Sequence, residues 1–331
     1  MKRDCGEWVG KRTLVTGATG FIGHVLCQRL QASGATVHAL LRRDAEGPWK
    51  AVVRCELGDE LLPAVDLGEV DTVFHLAGVA HRRGVSDDLY RRVNVEGTRN
   101  LLEAAVAAGV ERFVYFSSVK AVADPPRDEC VDESWDVPPS DAYGRSKREA
   151  ESLVLEAGGR AGMHVVVIRP TLVYGPQVKG NLARIARLVA SGWCPPLPDT
   201  SNRRSMVHVE DLCALALEAA RNPAAAGGCF IAADAHPVST RALYEGLCGA
   251  LGRSVPRWRL PPGLLRMGGR AGDWAERLLR RTLPLDSAVV SRLLDSACYS
   301  GERAMRELGW RPRYDLLSSL DEMVATMGSV A

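Results

Sequence analysis

Residues 13–23 read TLVTGATGFIG, and the fold is decided there. The run at 13–16 predicts a short buried strand. Gly17, Gly20 and Gly23, with Phe21 and Ile22 between them, then turn the chain into a helix. That helix carries Ile22, Val25, Leu26 and Leu30 on one face and stops at Gly34. Glycine at these positions tightens the turn, lets backbone approach a pyrophosphate, and lets helix pack on strand. The free N–H groups of the helix start would meet the phosphates. The run therefore reads as a dinucleotide site.

Outward from this turn, residues 36–41, 51–55, 72–76, 112–116 and 165–168 read as further buried strands. Residues 93–108 and 143–157 read as helices between the later ones. Apolar strands alternating with helices imply a parallel sheet covered on both faces, a doubly wound α/β domain of Rossmann type. After Arg169-Pro170, prolines and glycines become frequent. The expected division is a dinucleotide-binding domain over 1–176 and a smaller, mostly helical substrate domain over 177–331. Some segments of the second part would return to the first and leave a cleft between them. The basic, partly amphipathic run 261–281 is expected as a solvated helix pair, with membrane-surface contact the lesser reading.

Bulk properties narrow the function classes. A net charge of +2 over 331 residues gives no reason to expect nucleic acid as partner. Nine cysteines without a C-x-x-C pair point to buried thiols in a reducing compartment, not to a disulfide framework or a metal site. The start MKRDCGEWVGKR lacks the apolar run of a secretory signal, and no stretch approaches the ~20 apolar residues of a membrane span. The expected location is the cytoplasm.

The end of the second strand departs from the pattern for NAD(H). A carboxylate there would bind the adenosine ribose hydroxyls, but the chain reads Leu40-Leu41-Arg42-Arg43. Arg42 can instead pair with a 2′-phosphate, so NADP(H) is expected slightly ahead of NAD(H). Tyr143 and Lys147, four apart at the start of a helix, share one face. An ammonium ~6 Å from the phenol at an effective dielectric of ~20 would contribute roughly 2.8 kcal/mol, about two pKa units. Tyr143 would then exchange a proton with a substrate oxygen while hydride moves at the same carbon.

The neighbouring motifs strengthen this pair. TGATGFIG at 16–23, HLAG at 75–78, NVEGT at 94–98, FVYFSS at 113–118 and YGRSK at 143–147 stand in order. RPTLVYGP at 169–176, RRSMVHVEDL at 203–212 and RELGWRP at 306–312 follow them. With these runs the chain resembles the extended short-chain dehydrogenase/reductases, which include nucleotide-sugar epimerases, dehydratases and reductases. The resemblance implies Ser118 as the hydroxyl that holds the reacting oxygen, with Ser117 as fallback. It implies Lys147 on the nicotinamide ribose and Asn94 in support of the site. Ala77, Gly78, Leu76, Leu57 and Pro170 would line the cofactor, and Glu56 would touch adenine. A homodimer is also implied.

The resemblance further implies a diphosphate grip from Asn181 and Arg204, with Arg292 as a second phosphate ligand. His208 is expected to be structural. Within the family, FSSVK, PPSDAYGRSK, VYGPQVKGN and NRRSMVHVEDL look most like the UDP-N-acetylquinovosamine dehydrogenases. These work as reductases of a UDP-linked 4-keto-6-deoxy-HexNAc. A UDP-hexose 4-epimerase is the first alternative, and a reductase of apolar ketones the second. A dinucleotide sensor would tend to lose Tyr143 and Lys147. Elimination chemistry usually needs an Asp–Glu pair after the catalytic hydroxyl, where this chain has Val119-Lys120.

Overall fold

The computed structural model describes residues 8–58, 67–81, 84–126, 129–192, 194–279, 281 and 286–327, with backbone alone at Asn181 and Met327. Its strands are β1 (Arg12–Thr16), β2 (Thr36–Leu41), β3 (Ala51–Arg54), β4 (Thr72–His75), β5 (Arg112–Phe116), β6 (Cys130–Val131), β7 (His164–Pro170), β8 (Leu172–Tyr174), β9 (Met206–His208), β10 (Gly228–Ala232) and β11 (Cys298–Tyr299). Seven of them form one sheet in the order β10-β7-β5-β4-β1-β2-β3, and every pairing in it is parallel.

Side chains alternate across this sheet, because successive Cβ atoms of a strand point to opposite faces. Val15, Phe74, Val114 and Phe116 pack with Leu26 and Leu30 of the helix Phe21–Ala32 and with Leu212 and Leu215 of the helix Val209–Arg221. On the other face, Leu14, Val73, Phe113 and Tyr115 pack with Leu101 of the helix Gly97–Ala107 and Val154 of the helix Ala142–Ala161. Both faces are dry except at the edge strand β3, which reads as buried in the sequence but is largely exposed because it has a neighbour on one side only, and the fold is the doubly wound one expected. The chain leaves β1 toward β2 and β3, then returns to β4 on the other side. The strand order reverses there, between β1 and β4, and sheets wound in this way bind ligands outside the carboxyl ends of the strands at such a point.

The strand β10 was not read from the sequence. It comes late in the chain and pairs with β7 through Phe230↔Ile168. A third core gathers Tyr174, Leu182, Leu243, Leu247, Leu320 and Met323 beyond the sheet. His208 stacks on Tyr314 at 3.9 Å and meets Tyr174 edge-on at 5.1 Å. Its Nδ1 accepts from the Glu210 amide, and burial lowers its pKa to about 4. It is a neutral packing residue.

Two expectations need correction. Not all the cysteines are free thiols, because Cys130 and Cys298 form a disulfide between the paired strands β6 and β11. The run 261–281 forms one largely exposed helix, Pro262–Leu279, where a helix pair was expected. Only Leu265 and Gly269 are buried, while Leu264, Met267, Trp274, Leu278 and Leu279 are exposed.

Candidate active site

The glycine turn after β1 is built for close approach. Gly17 adopts φ +70°, and a Cβ there would stand 2.9 Å from the Ala77 amide nitrogen. A Cβ on Gly23 would collide with the Gly17 carbonyl, so this third glycine lets the helix lie on the turn. The Gly20 amide donates to the Gly17 carbonyl at 2.9 Å and closes the turn. The helix Phe21–Ala32 begins at Gly20 with no side-chain cap and no acidic residue in its first turn. Uncapped N–H groups beside a cradle that a side chain would fill suit a dinucleotide pyrophosphate.

At the end of β4 a buried polar chain sets the crevice wall. Thr16 Oγ1 meets His75 Nδ1 at 2.7 Å and accepts from the Leu76 and Ala77 amides at 3.1 and 3.0 Å. His75 Nε2 meets Thr98 Oγ1 at 2.9 Å, and Thr98 donates to the Asn94 carbonyl at 2.7 Å. Burial, with Lys147 nearby, lowers the His75 pKa to about 3 and keeps the ring neutral. Asn94 lies in a π-helical turn, Arg91–Glu96. Its Oδ1 accepts from the Val79 amide at 2.7 Å, and its Nδ2 donates to Ser146 Oγ at 3.0 Å and the Val79 carbonyl at 3.2 Å. The amide thus ties the loop after β4 to the catalytic helix. A Cβ on Gly78 would come 2.9 Å from Asn94 Oδ1 and 3.7 Å from Lys147 Nζ, so this loop also admits no larger residue.

Ser118, Tyr143 and Lys147 meet at the carboxyl end of β5. Ser118 caps a short 3-10 turn, accepting from the Lys120 amide at 3.2 Å, and its hydroxyl lies close enough to the Tyr143 phenol to favour the ionised form. The fallback Ser117 has a buried hydroxyl with no hydrogen-bond partner among the described residues. Asp141 caps the helix Ala142–Ala161 by accepting from the Gly144 amide at 2.7 Å. Gly144 lets that helix touch the Ser118 turn, for a Cβ would overlap the Lys120 carbonyl and stand 2.6 Å from Pro139 Cβ. Lys147 Nζ donates to the Phe116 carbonyl at 2.9 Å and to Tyr115 Oη at 3.2 Å. One turn further, Glu151 holds Arg169 of β7 in a buried two-pronged pair at 2.9 and 2.6 Å.

The electrostatics differ from the sequence expectation. Tyr143 is pushed up to about 12, because burial outweighs the nearby Ser118 hydroxyl. Lys147 is pulled down to about 8 by burial, partly opposed by Glu151. In the chain alone, Lys147 does not lower the phenol as expected, since its ammonium is spent on Tyr115 and Phe116. His81 and Tyr90, which sequence reasoning missed, flank the phenol with ring centroids 5.6 and 5.8 Å away.

The other expected contacts spread around this centre. Arg42 is exposed just past β2, and Glu56 is exposed past β3 beside buried Leu57. Leu76 and Ala77 line the loop after β4, and Pro170 ends β7. Arg204 Nη1 donates to the carbonyls of Arg292 and Asp295 at 2.6 and 3.2 Å, which brings Arg204 and Arg292 into one neighbourhood. Asp124 and Tyr299 also bear on the Arg204 guanidinium. Asn181 opens the helix Asn181–Ser191, and its side chain lies outside the described residues. Among the described residues no cluster could hold a metal ion, and no helix is long and apolar enough to cross a membrane.

Three comparisons bear on this arrangement. The profile of the NAD dependent epimerase/dehydratase family matches residues 13–230. The UDP-glucose 4-epimerase of Vibrio cholerae is 34% identical over 323 residues, covering 91% of either chain. The 4-hydroxy-2-methyl-3-oxo-4-farnesyl-3,4-dihydroquinoline-1-oxide ketoreductase of Stigmatella aurantiaca is 28% identical and covers 94% of this chain and 95% of its own. Among solved structures, MoeE5 in complex with UDP-glucose and NAD superposes with a TM-score of 0.76. It is 27% identical and covers 97% of this chain and 100% of its own.

Proposed function

The chain belongs to the NAD dependent epimerase/dehydratase family, and from that premise we propose that it transfers hydride at C4 of a UDP-linked hexose. The reading we favour is reduction of a UDP-linked 4-keto-6-deoxy-N-acetylhexosamine. The observation that carries C4 chemistry is the meeting of Ser118, Tyr143 and Lys147 at the crevice edge. Arg204 and Arg292, together in one neighbourhood, give it a diphosphate grip, which a reductase of apolar ketones does not need. Asn181 is a third candidate for that grip.

When bound, the nicotinamide supplies or accepts the hydride. Gly17, Gly20 and Gly23, with Phe21 and Ile22, would hold its pyrophosphate, and Leu76, Ala77, Gly78 and Pro170 would line its path. Leu57 and Glu56 would face the adenine end. Lys147 would hold the ribose, while Asn94 acts as a positioning residue. The Ser118 hydroxyl holds the C4 oxygen, and Tyr143 donates its proton to that oxygen in reduction or takes one from it in oxidation. Burial holds the phenol protonated in the free chain, so the bound cofactor and substrate would have to lower its pKa for oxidation to begin. NAD in the MoeE5 complex supports NAD(H), and exposed Arg42 supports NADP(H) as well.

The second reading is UDP-hexose 4-epimerisation, favoured by the 34% identity to the Vibrio cholerae epimerase. We assign residues 1–176 to dinucleotide binding and 177–331 to the sugar, apart from the segments that return to the first domain, the helix Val209–Arg221 and β10, and we place the protein in the cytoplasm as a homodimer.

Two measurements test the reading. The purified protein is assayed for bound dinucleotide and for turnover of UDP-linked 4-keto sugars. Stoichiometric consumption of NADPH or NADH supports the reductase, and tightly held NAD⁺ that survives turnover supports the epimerase. Arg204→Ala is expected to raise the sugar KM at least about tenfold with little change in cofactor KM, the size of a lost charged hydrogen-bond pair. Equal effects on both constants would remove the phosphate role.

A further inference from the structure

The helix Pro262–Leu279 faces the wrong way for a helix surrounded by water. Leu265 and Gly269 turn inward, and Gly269 lets the helix close on Ser287 and Val290 of the neighbouring helix Ser287–Leu294. The large apolar side chains turn outward. Leu264, Met267, Ala271, Trp274 and Leu278 recur every three or four residues, so they form one seam about a quarter of the circumference wide. Trp274, Met267 and Leu278 are 66%, 65% and 66% exposed. Trp258, just before the helix, is 60% exposed as well. Single exposed apolar residues are ordinary, but an aligned row some 20 Å long is not.

Charge says what covers this row. Residues 257–281 contain seven arginines against two carboxylates, Asp273 and Glu276, although the whole chain carries only +2. Arg266, Arg270 and Arg277 follow the seam along one flank, and Arg257, Arg259 and Arg281 stand at its ends, all exposed. Arg259 and Arg266 also lie near Asp199 and Asp295 of this chain, at 3.7 and 3.9 Å. A second copy seated on the seam would bring arginine against arginine. A surface of anionic lipid instead neutralises the flank and takes up the seam, with tryptophan at the boundary between headgroup and acyl chain.

We propose that this helix lies in the surface of an anionic bilayer and docks the enzyme there as a peripheral protein. Leu264, Met267, Trp274 and Leu278 would enter the acyl boundary, and the arginines would pair with lipid phosphates. The helix does not span, and its docking needs no ligand in the crevice.

The test is flotation of the whole protein with vesicles of phosphatidylcholine alone and of phosphatidylcholine mixed with phosphatidylglycerol. Binding is expected to the mixed vesicles only, with a blue shift of tryptophan emission. The double variant Met267→Glu/Trp274→Glu is expected to lose at least about tenfold in bound fraction, from the burial forfeited by two large side chains. Arg270→Glu/Arg277→Glu should abolish the preference for the anionic lipid. Both variants change exposed positions, so their melting and their turnover in solution should match the parent. Failure of the parent to float with either vesicle would overturn the proposal. So would a lipid-free dimer, seen by light scattering, that the same variants dissociate, since the face would then join two copies of the chain.

Discussion

Lys147 concentrates the cost of the site in one residue. Its amine is buried among Tyr115, Phe116 and the Gly78 loop, and its pKa falls from 10.5 to about 8. The sign follows directly. Between pH 8 and 10.5 the unfolded chain holds the proton and the folded chain has released it, so stability rises with pH across that window. Below pH 8 both states are protonated and the penalty is fully present. The span corresponds to about 3 kcal/mol, an upper figure because Glu151 relaxes with the amine. Lys147→Met is expected to be inactive and to lack this rise. Its stability at pH 7 should stay near the parent, since losing the charge offsets leaving Tyr115 and the Phe116 carbonyl short of a donor. Denaturant melts of both proteins at pH 7, 8.5 and 10 check it, and parallel pH profiles would refute the buried-amine account.

At the scale of the element, the catalytic helix is aimed by a glycine where sequence propensity argues for alanine. Gly144→Ala would gain helix propensity, yet the new methyl would meet the Lys120 carbonyl and Pro139. The helix would have to retreat from the Ser118 turn. The variant is expected to lose about 1–3 kcal/mol and at least about tenfold in kcat. Gly159→Ala, on the same helix with nothing within 4 Å of its Cβ, should instead gain about 0.5–1 kcal/mol and keep full activity. Thermal melts and initial rates on the pair decide it, and similar behaviour of both would discredit the close-approach argument. The same helix shows what the sequence makes legible. Tyr143 and Lys147 are four apart, and their shared face follows from helical spacing alone. Six strands of the sheet could be read from apolar runs between glycines. The chain from Thr16 through His75 and Thr98 to Asn94 could not, because its members lie 59 and 23 residues apart and meet only after the sheet closes. HLAG and NVEGT signalled that His75, Asn94 and Thr98 matter, without saying that they touch. The shift of Tyr143 was misjudged because spacing gives no measure of burial.

At the scale of the whole molecule, the Cys130–Cys298 disulfide joins chain segments 168 residues apart. It bridges the region after Ser118 to the late segment beside Arg204. Tyr299, next to Cys298, exchanges hydrogen bonds of 2.8 and 2.9 Å with Ser205 Oγ, and its hydroxyl donates to Asp124 at 3.3 Å. The bridge therefore braces the segment that presents Arg204. Loop-closure entropy for so long a loop gives an upper figure of roughly 5 kcal/mol, and measured bridges more often contribute about 2–4 kcal/mol. Dithiothreitol is expected to lower the melting temperature by roughly 3–8 °C and to raise the sugar KM more than the cofactor KM. Cys130→Ala should melt at the reduced parent's temperature whether or not dithiothreitol is present, because its one remaining partner, Cys298, is a buried thiol that closes no loop. If the oxidised parent and the variant melt together, the brace contributes nothing. The Arg204 segment must then be held by Ser205 and Tyr299, by the Arg292 and Asp295 carbonyls, and by backbone pairing with Val238 and Ala297.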